Sequence, residues 1–227
     1  MKQKTKMIFK IILIFTTILS ILLFTMVLVY VCTKPNISIK FQKKASVCID
    51  AGHGGKDTGA TFQGRTEKDD VLNLSLAVAD YLREKGVKVY LTREDDTFKT
   101  LSDRCNFANK KKVDIFISIH RNSADKGSGV EAWISSMPNG LEEILAKNIL
   151  NQLEQTNKIS NNRGIKKGYR KNKDGNYFVN ANTNMPSCLL EVGFITNNDD
   201  NNLFDSNFQE YAFAIGEGIL ISLQEFS

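Results

Sequence analysis

Ser46-Val-Cys-Ile-Asp-Ala-Gly-His-Gly-Gly-Lys-Asp57 is a short apolar run broken by a glycine-rich turn that carries a histidine. The pattern returns at Asp114-Ile-Phe-Ile-Ser-Ile-His-Arg-Asn-Ser123. Short apolar runs bounded by turn residues predict buried strands, here over residues 46–50 and 114–119. Between them Val71, Leu74, Val78 and Leu82 recur at helical spacing within residues 69–85, and Gly86 supplies a stop. Strands are also predicted at 87–92, 129–134 and 188–192. Helices are predicted at 101–112 and 141–155, and a closing helix has Phe208, Tyr211, Ala212, Ile215 and Ile219 on one face. The polar, Lys/Asn/Gly-rich residues 157–174 read as loop with at most a short strand. Strands alternating with helices predict an α/β domain, a largely parallel sheet covered on both faces.

The chain has 227 residues and a net charge of +5, but the charge is unevenly placed. Residues 1–45 hold eight lysines and no acid, which leaves 22 basic against 25 acidic side chains over 46–227. A slightly acidic domain argues against a nucleic-acid binder. Residues 11–32 carry no charge and are dominated by Ile, Leu, Phe and Val. At ~1.5 Å per residue that run is long enough for a bilayer core of ~30 Å. It follows a basic tail at 1–10 and shows no small-residue cleavage site, so it reads as an uncleaved membrane anchor, with a cleaved signal as the alternative. A basic linker at 33–45 leads into the domain at 46–227, which the lysine-rich tail places outside the cytoplasm. Cys48, Cys105 and Cys188 read as small buried hydrophobes, with a Cys48–Cys188 bridge as the alternative.

The chain contains two histidines, and both His53 and His120 come directly after predicted strands. The carboxyl ends of strands are where open α/β sheets bind ligands. Glu67, at the mouth of the first long helix, completes a set of two imidazoles and a carboxylate suited to catalytic zinc. By itself it better suits a helix N-terminal acid favoured by the macrodipole. Glu191 lies inside an apolar strand, where a carboxylate needs a partner or a task. It reads as a general base, or as a structural acid paired with Arg93 or Arg104. A phosphate-binding loop fails on spacing, because Gly55-Lys56 is followed by Asp57 rather than Ser or Thr. The Asp/Asn cluster at 197–202 does not fit a calcium loop and reads as a turn and helix start.

Taken in order, the motifs resemble the zinc-dependent N-acetylmuramoyl-L-alanine amidases of the amidase 3 type. They are Ile49-Asp-Ala-Gly-His-Gly-Gly55, Glu67-Lys68, Leu91-Thr-Arg93, Leu101-Ser-Asp-Arg104, Ile117-Ser-Ile-His-Arg-Asn122 and Glu191-Val-Gly-Phe194. The resemblance covers about residues 46–224 and implies one Zn2+ held by His53, Glu67 and His120, with Glu191 as the catalytic acid/base. It implies a twisted, mostly parallel sheet of about six strands flanked by helices. The implied reaction cuts the amide between N-acetylmuramic acid and L-alanine in peptidoglycan. Ala51 departs from the proline common before the Gly-His pair. A lone catalytic domain behind one membrane segment is similar to the spore-cortex amidases. The alternatives are a non-catalytic peptidoglycan-binding relative and a zinc hydrolase of another amide.

Overall fold

The computed structural model describes residues 45–171 and 175–226, with Thr16, Thr17 and Thr25 as isolated positions before them. The chain divides into two units, Met1–Gln42 and Lys43–Ser227. Apart from those isolated positions and Ala45, the expected tail, anchor at 11–32 and linker lie outside the described residues. Among the described residues no helix is long and apolar enough to cross a membrane.

The second unit is built on a sheet of six strands: β1 (Ser46–Ala51), β4 (Lys88–Leu91), β5 (Ile115–Asn122), β6 (Val130–Ile134), β7 (Asn162–Lys167) and β8 (Ser187–Phe194). Their spatial order is β4-β1-β5-β8-β6-β7. Every neighbouring pair is parallel except β6 against β8. A hairpin of two short strands, β2 (Thr61–Phe62) and β3 (Arg65–Thr66), stands apart and delivers the chain into α1 (Glu67–Glu84). The remaining helices are α2 (Leu101–Lys111), α3 (Leu141–Gln155), the short α4 (Phe178–Asn182), α5 (Asn198–Ser206) and α6 (Phe208–Glu225).

Local chemistry sets the ends of the helices that matter for the site. Thr66, in extended backbone, precedes α1, whose first turn carries Glu67, Asp69 and Asp70 against the positive end of the helix dipole. Thr100 and Asp103 form a reciprocal capping box at the start of α2, so that helix begins at a fixed place.

Side chains alternate across a sheet, and here the two faces differ. Cys48, Phe116 and Leu189 pack with Cys105 and Ala108 of α2 and Val179 of α4. The alternate residues Val47, Ile49, Ile115, Ile117, Cys188 and Leu190 are fully buried and face the layer of α1, α3 and α6. Cys48 and Cys188 therefore lie on opposite faces, on strands separated by β5 and so ~10 Å apart. That separation is too great for a disulfide. Cys48, Cys105 and Cys188 are free buried thiols, as the hydrophobe reading has it.

Four details differ from the sequence expectation. The strand predicted to end at residue 119 runs on to Asn122, so His120 stands within β5 rather than after it. The first helix starts at Glu67 itself. The β2–β3 hairpin and α4 carry too few residues to show a periodicity. Strand β7, inside the predicted loop, is an edge strand of polar composition whose residues are only half-buried.

Candidate metal centre

The carboxyl ends of β1 and β5 and the first residue of α1 meet at one point. Glu67 is buried, and its Oε1 lies 3.1 Å from His53 Nε2 and 3.0 Å from His120 Nδ1. The two rings stand edge to face with centroids 4.9 Å apart. Three donor atoms, one from each residue, lie within 4.8 Å of one another. That spacing lets all three reach one ion at bonds of ~2.0–2.2 Å, and two imidazoles with a carboxylate are a donor set suited to zinc. The same backbone that builds the pocket orients Glu67. Arg121 N–H donates to its Oε1 at 3.0 Å and Ala60 N–H to its Oε2 at 2.9 Å.

Electrostatics tie the three together. Burial opposes a charged imidazole at His53, but the Glu67 carboxylate and then Asp57 outweigh it and push the value up to about 9. Burial likewise opposes a charged Glu67, yet the hydrogen bonds from His120 and His53 hold its carboxyl well below the usual range. His53 Nδ1 is 3.0 Å from Asp57 Oδ2, without the alignment of a hydrogen bond.

The loop holding His53 is clamped. His53 adopts a left-handed φ of 58°, a conformation uncommon outside glycine that recurs at functional sites. Arg104 donates to the carbonyls of Ala51 and His53 at 2.7 and 2.6 Å and pairs with Asp50 at 2.7 Å. Arg93 donates to the carbonyls of Ala51, Gly52 and Lys68. Both arginines are thus committed to the loop, and neither partners Glu191, which corrects the structural alternative for that acid. A Cβ at Gly52 would lie 2.3 Å from His120 Cε1, so the bare backbone there makes room for the ring. The Gly55 amide is taken by Asp96 at 2.8 Å rather than turned outward as in a phosphate cradle. At the other Asp/Asn cluster, Asn197 caps α5 and Asp200 accepts the Gly129 and Phe194 amides.

Glu191 faces the same pocket. In β8 it stands in register with His120 of β5 on one side and Glu131 of β6 on the other. Its Oε2 is buried and makes no hydrogen bond. Burial, then the nearby carboxylates of Glu67 and Glu131, push it up to about 8. A cavity of about 500 Å³ opens above, with Leu189 and Glu191 on its floor, Phe98 and Leu101 on one lip, and Arg170 and Tyr177 on the other. Asp50, Glu131 and Arg170 were not singled out from the sequence. The legible signal for the first was its place on the same face of β1 as Ser118 on β5, to which it is bonded at 2.7 Å. No periodicity marks Arg170.

Residues 47–220 match the family described as N-acetylmuramoyl-L-alanine amidase. The chain is 39% identical over 178 residues to the uncharacterized protein YqiI of Bacillus subtilis (strain 168), covering 77% of this chain and 82% of that one. It is 35% identical to the sporulation-specific N-acetylmuramoyl-L-alanine amidase of the same organism, covering 71% of this chain and 61% of the relative. The crystal structure of an N-acetylmuramoyl-L-alanine amidase from Clostridium difficile 630 superposes with a TM-score of 0.72 at 31% identity, covering 80% of this chain and 98% of that one. The chain belongs to the N-acetylmuramoyl-L-alanine amidase family, hydrolases of peptidoglycan.

Proposed function

We propose that the domain cuts the amide between the lactyl group of N-acetylmuramic acid and the L-alanine of the stem peptide at a single zinc ion. His53, Glu67 and His120 hold the ion and Glu191 is the catalytic acid/base. The observation that carries this reading is the convergence of the three donors within 4.8 Å, with Glu191 one strand spacing from His120. Zinc in such a set supplies Lewis acidity to the scissile carbonyl and to the attacking water. Glu191 Oε2 takes the proton of that water as it attacks, and returns it to the nitrogen of the departing L-alanine. A carboxyl pushed up to about 8 is mostly protonated at neutral pH, and in that form it cannot take a proton from water. The Arg170 guanidinium opposes that rise, and a cation held by the three ligands would lower the value further, so that both halves of the transfer become feasible. Burial keeps bulk water from competing for that proton.

Purified peptidoglycan digested with the protein should yield free L-alanine N-termini, and a chelator should stop the release until zinc is returned. A protein that retains zinc yet releases no L-alanine termini favours the non-catalytic peptidoglycan-binding alternative. Appearance of other free amines but not L-alanine points to another amide. Two finer assignments join this reading. Residues 11–32 tether the catalytic domain outside the cytoplasm, to be checked by membrane fractionation and protease accessibility of the full chain. A role in the spore cortex is supported by the sporulation-specific relative, and cortex muropeptides from a deletion strain would test it.

A further inference from the structure

One buried acid and one exposed base beside the cavity act on Glu191 only through their charge in the chemistry above. Glu131 is 3% exposed and lies beside Glu191 on the sheet. Its Oε1 accepts from Asn122 Nδ2 at 2.9 Å and Trp133 Nε1 at 3.0 Å, and its Oε2 accepts from Arg163 Nε at 2.7 Å. With its amide nitrogen held inward in this way, Asn122 must turn its Oδ1 toward the cavity. There it accepts from Arg170 Nη1 at 3.0 Å, and the same nitrogen reaches Ser123 O at 3.3 Å. Among the described residues Arg170 forms no ion pair and its Nη2 and Nε make no hydrogen bond, although its charge acts on the Glu191 carboxyl. The other arginines on the lining are ion-paired, Arg104 with Asp50 and Arg121 with Asp70. Lys99, the remaining cation, sits on the opposite lip with Phe98 and Leu101.

We infer that Arg170 is a specificity residue that binds a carboxylate of the stem peptide, and that Asn122 and Glu131 are the residues that position it. The inference rests on the amidase reading and on the order of groups along the sheet. His53 follows β1, His120 lies in β5, Glu191 in β8 and Glu131 in β6, while Arg170 follows β7 and reaches back to Asn122 and Ser123 at the end of β5. The acyl half of the scissile amide belongs over the histidines and the amine half at Glu191, which protonates it. The peptide therefore leaves from Glu191, and the Arg170 guanidinium is near enough to act on that carboxyl. Sugar rings are neutral, whereas the peptide is the anionic part of this polymer. The residue after L-alanine in a stem is a glutamate linked through its side chain, so its α-carboxylate is free unless amidated. A guanidinium with free donors on that path is suited to a carboxylate, which it can bind through two parallel hydrogen bonds.

The test compares two stem peptides that differ only in whether this α-carboxylate is free or amidated. Calorimetry on chelated protein measures their binding, and turnover of the matching muropeptides on zinc-loaded protein measures their cleavage. The wild type should favour the free carboxylate by about tenfold in both, the effect of one exposed charge-assisted pair. In Arg170→Gln the preference should fall to near one. In Asn122→Ala it should shrink, and adding Arg170→Gln to that variant should take it to near one, no further than Arg170→Gln alone. Lys99→Gln should keep the preference. No preference in the wild type, a preference that survives Arg170→Gln, or one abolished by Lys99→Gln overturns the inference. An equal fall in kcat on both substrates, with the preference intact, also overturns it and moves Arg170 to a role through Glu191. Should Asn122→Ala fail to fold, the exposed Arg170 variant alone decides. A wild type that binds with the preference but cuts neither substrate removes the amidase reading while leaving the carboxylate site.

Discussion

On one face of the sheet, α1, α3 and α6 cover Val47, Ile49, Ile115, Ile117, Cys188 and Leu190; on the other, the alternate positions of the same strands are Asp50, Ser118, His120, Asn122 and Glu191. The first face is closed by long helices and is apolar. The second is covered only at its far end, by α2 and the short α4, and its near end is the cavity. Both faces descend from one pleat, so each strand contributes to stability with one set of residues and to chemistry with the other. The division is not complete. Arg121 points to the closed side, where Asp70 and Asn201 bind it and Phe204 lies 4.4 Å from its guanidinium.

Substitutions placed on one face or the other should separate activity from stability. Glu191→Gln, on the open face, should retain zinc and the fold yet lower kcat by roughly a thousandfold, within the range for a lost general acid/base; zinc content and turnover measured on the same sample check this. An active Glu191→Gln protein would break the comparison outright. Ile117→Ala, on the closed face, should reduce stability by ~2–5 kcal/mol in urea unfolding while zinc affinity stays within a few-fold of wild type.

The two faces should also differ in their response to pH. Glu191 in chelated protein is raised from 4.5 to about 8, so the folded state holds a proton that the unfolded chain has lost. Its favourable contribution is complete below pH 4.5 and is lost as pH rises through about 8. Chelated Glu191→Gln should then be more stable than chelated wild type above pH 8, by about 5 kcal/mol. Equal stability of the two at pH 9 would mean that Glu191 is not held protonated. The smallest effect belongs to Gly52→Ala, which brings a methyl against the His120 ring. It should weaken zinc binding about tenfold in a competition assay, the low end for disturbed ligand support. Unchanged affinity would show that the ring has room to move.

The closed face was the easier one to read. Val71, Leu74, Val78 and Leu82 announce the buried stripe of α1, and all are fully buried. The order of strands and helices follows from such periodicities, because they are local properties of the chain. His53 and His120 were legible because a two-histidine chain with both at strand ends is unusual, and Glu67 because it opens a helix. What the sequence does not disclose is partnership. Arg93 and Arg104 are separated by more than forty residues from the carbonyls of residues 51–53 that they bind. Nothing local distinguishes such an arginine from one that would pair with Glu191. Glu131 and Arg170 escaped for the same reason: their relation to Glu191 depends on β6 running antiparallel to β8 and on where a loop lands.

The clamp on residues 51–53 has a consequence for how this centre is loaded. Backbone carbonyls in a glycine-rich turn would ordinarily be left to solvent and the turn to many conformations. Here two guanidiniums fasten them to a capped helix and a buried aspartate. The entropy of organising the ligands is thus met when the polypeptide folds, not when the ion arrives. In a zinc finger, assembly of the fold waits for the metal. On the proposed reading this domain instead presents a receptor shaped in advance, and an ion would exchange without the architecture having to be rebuilt each time.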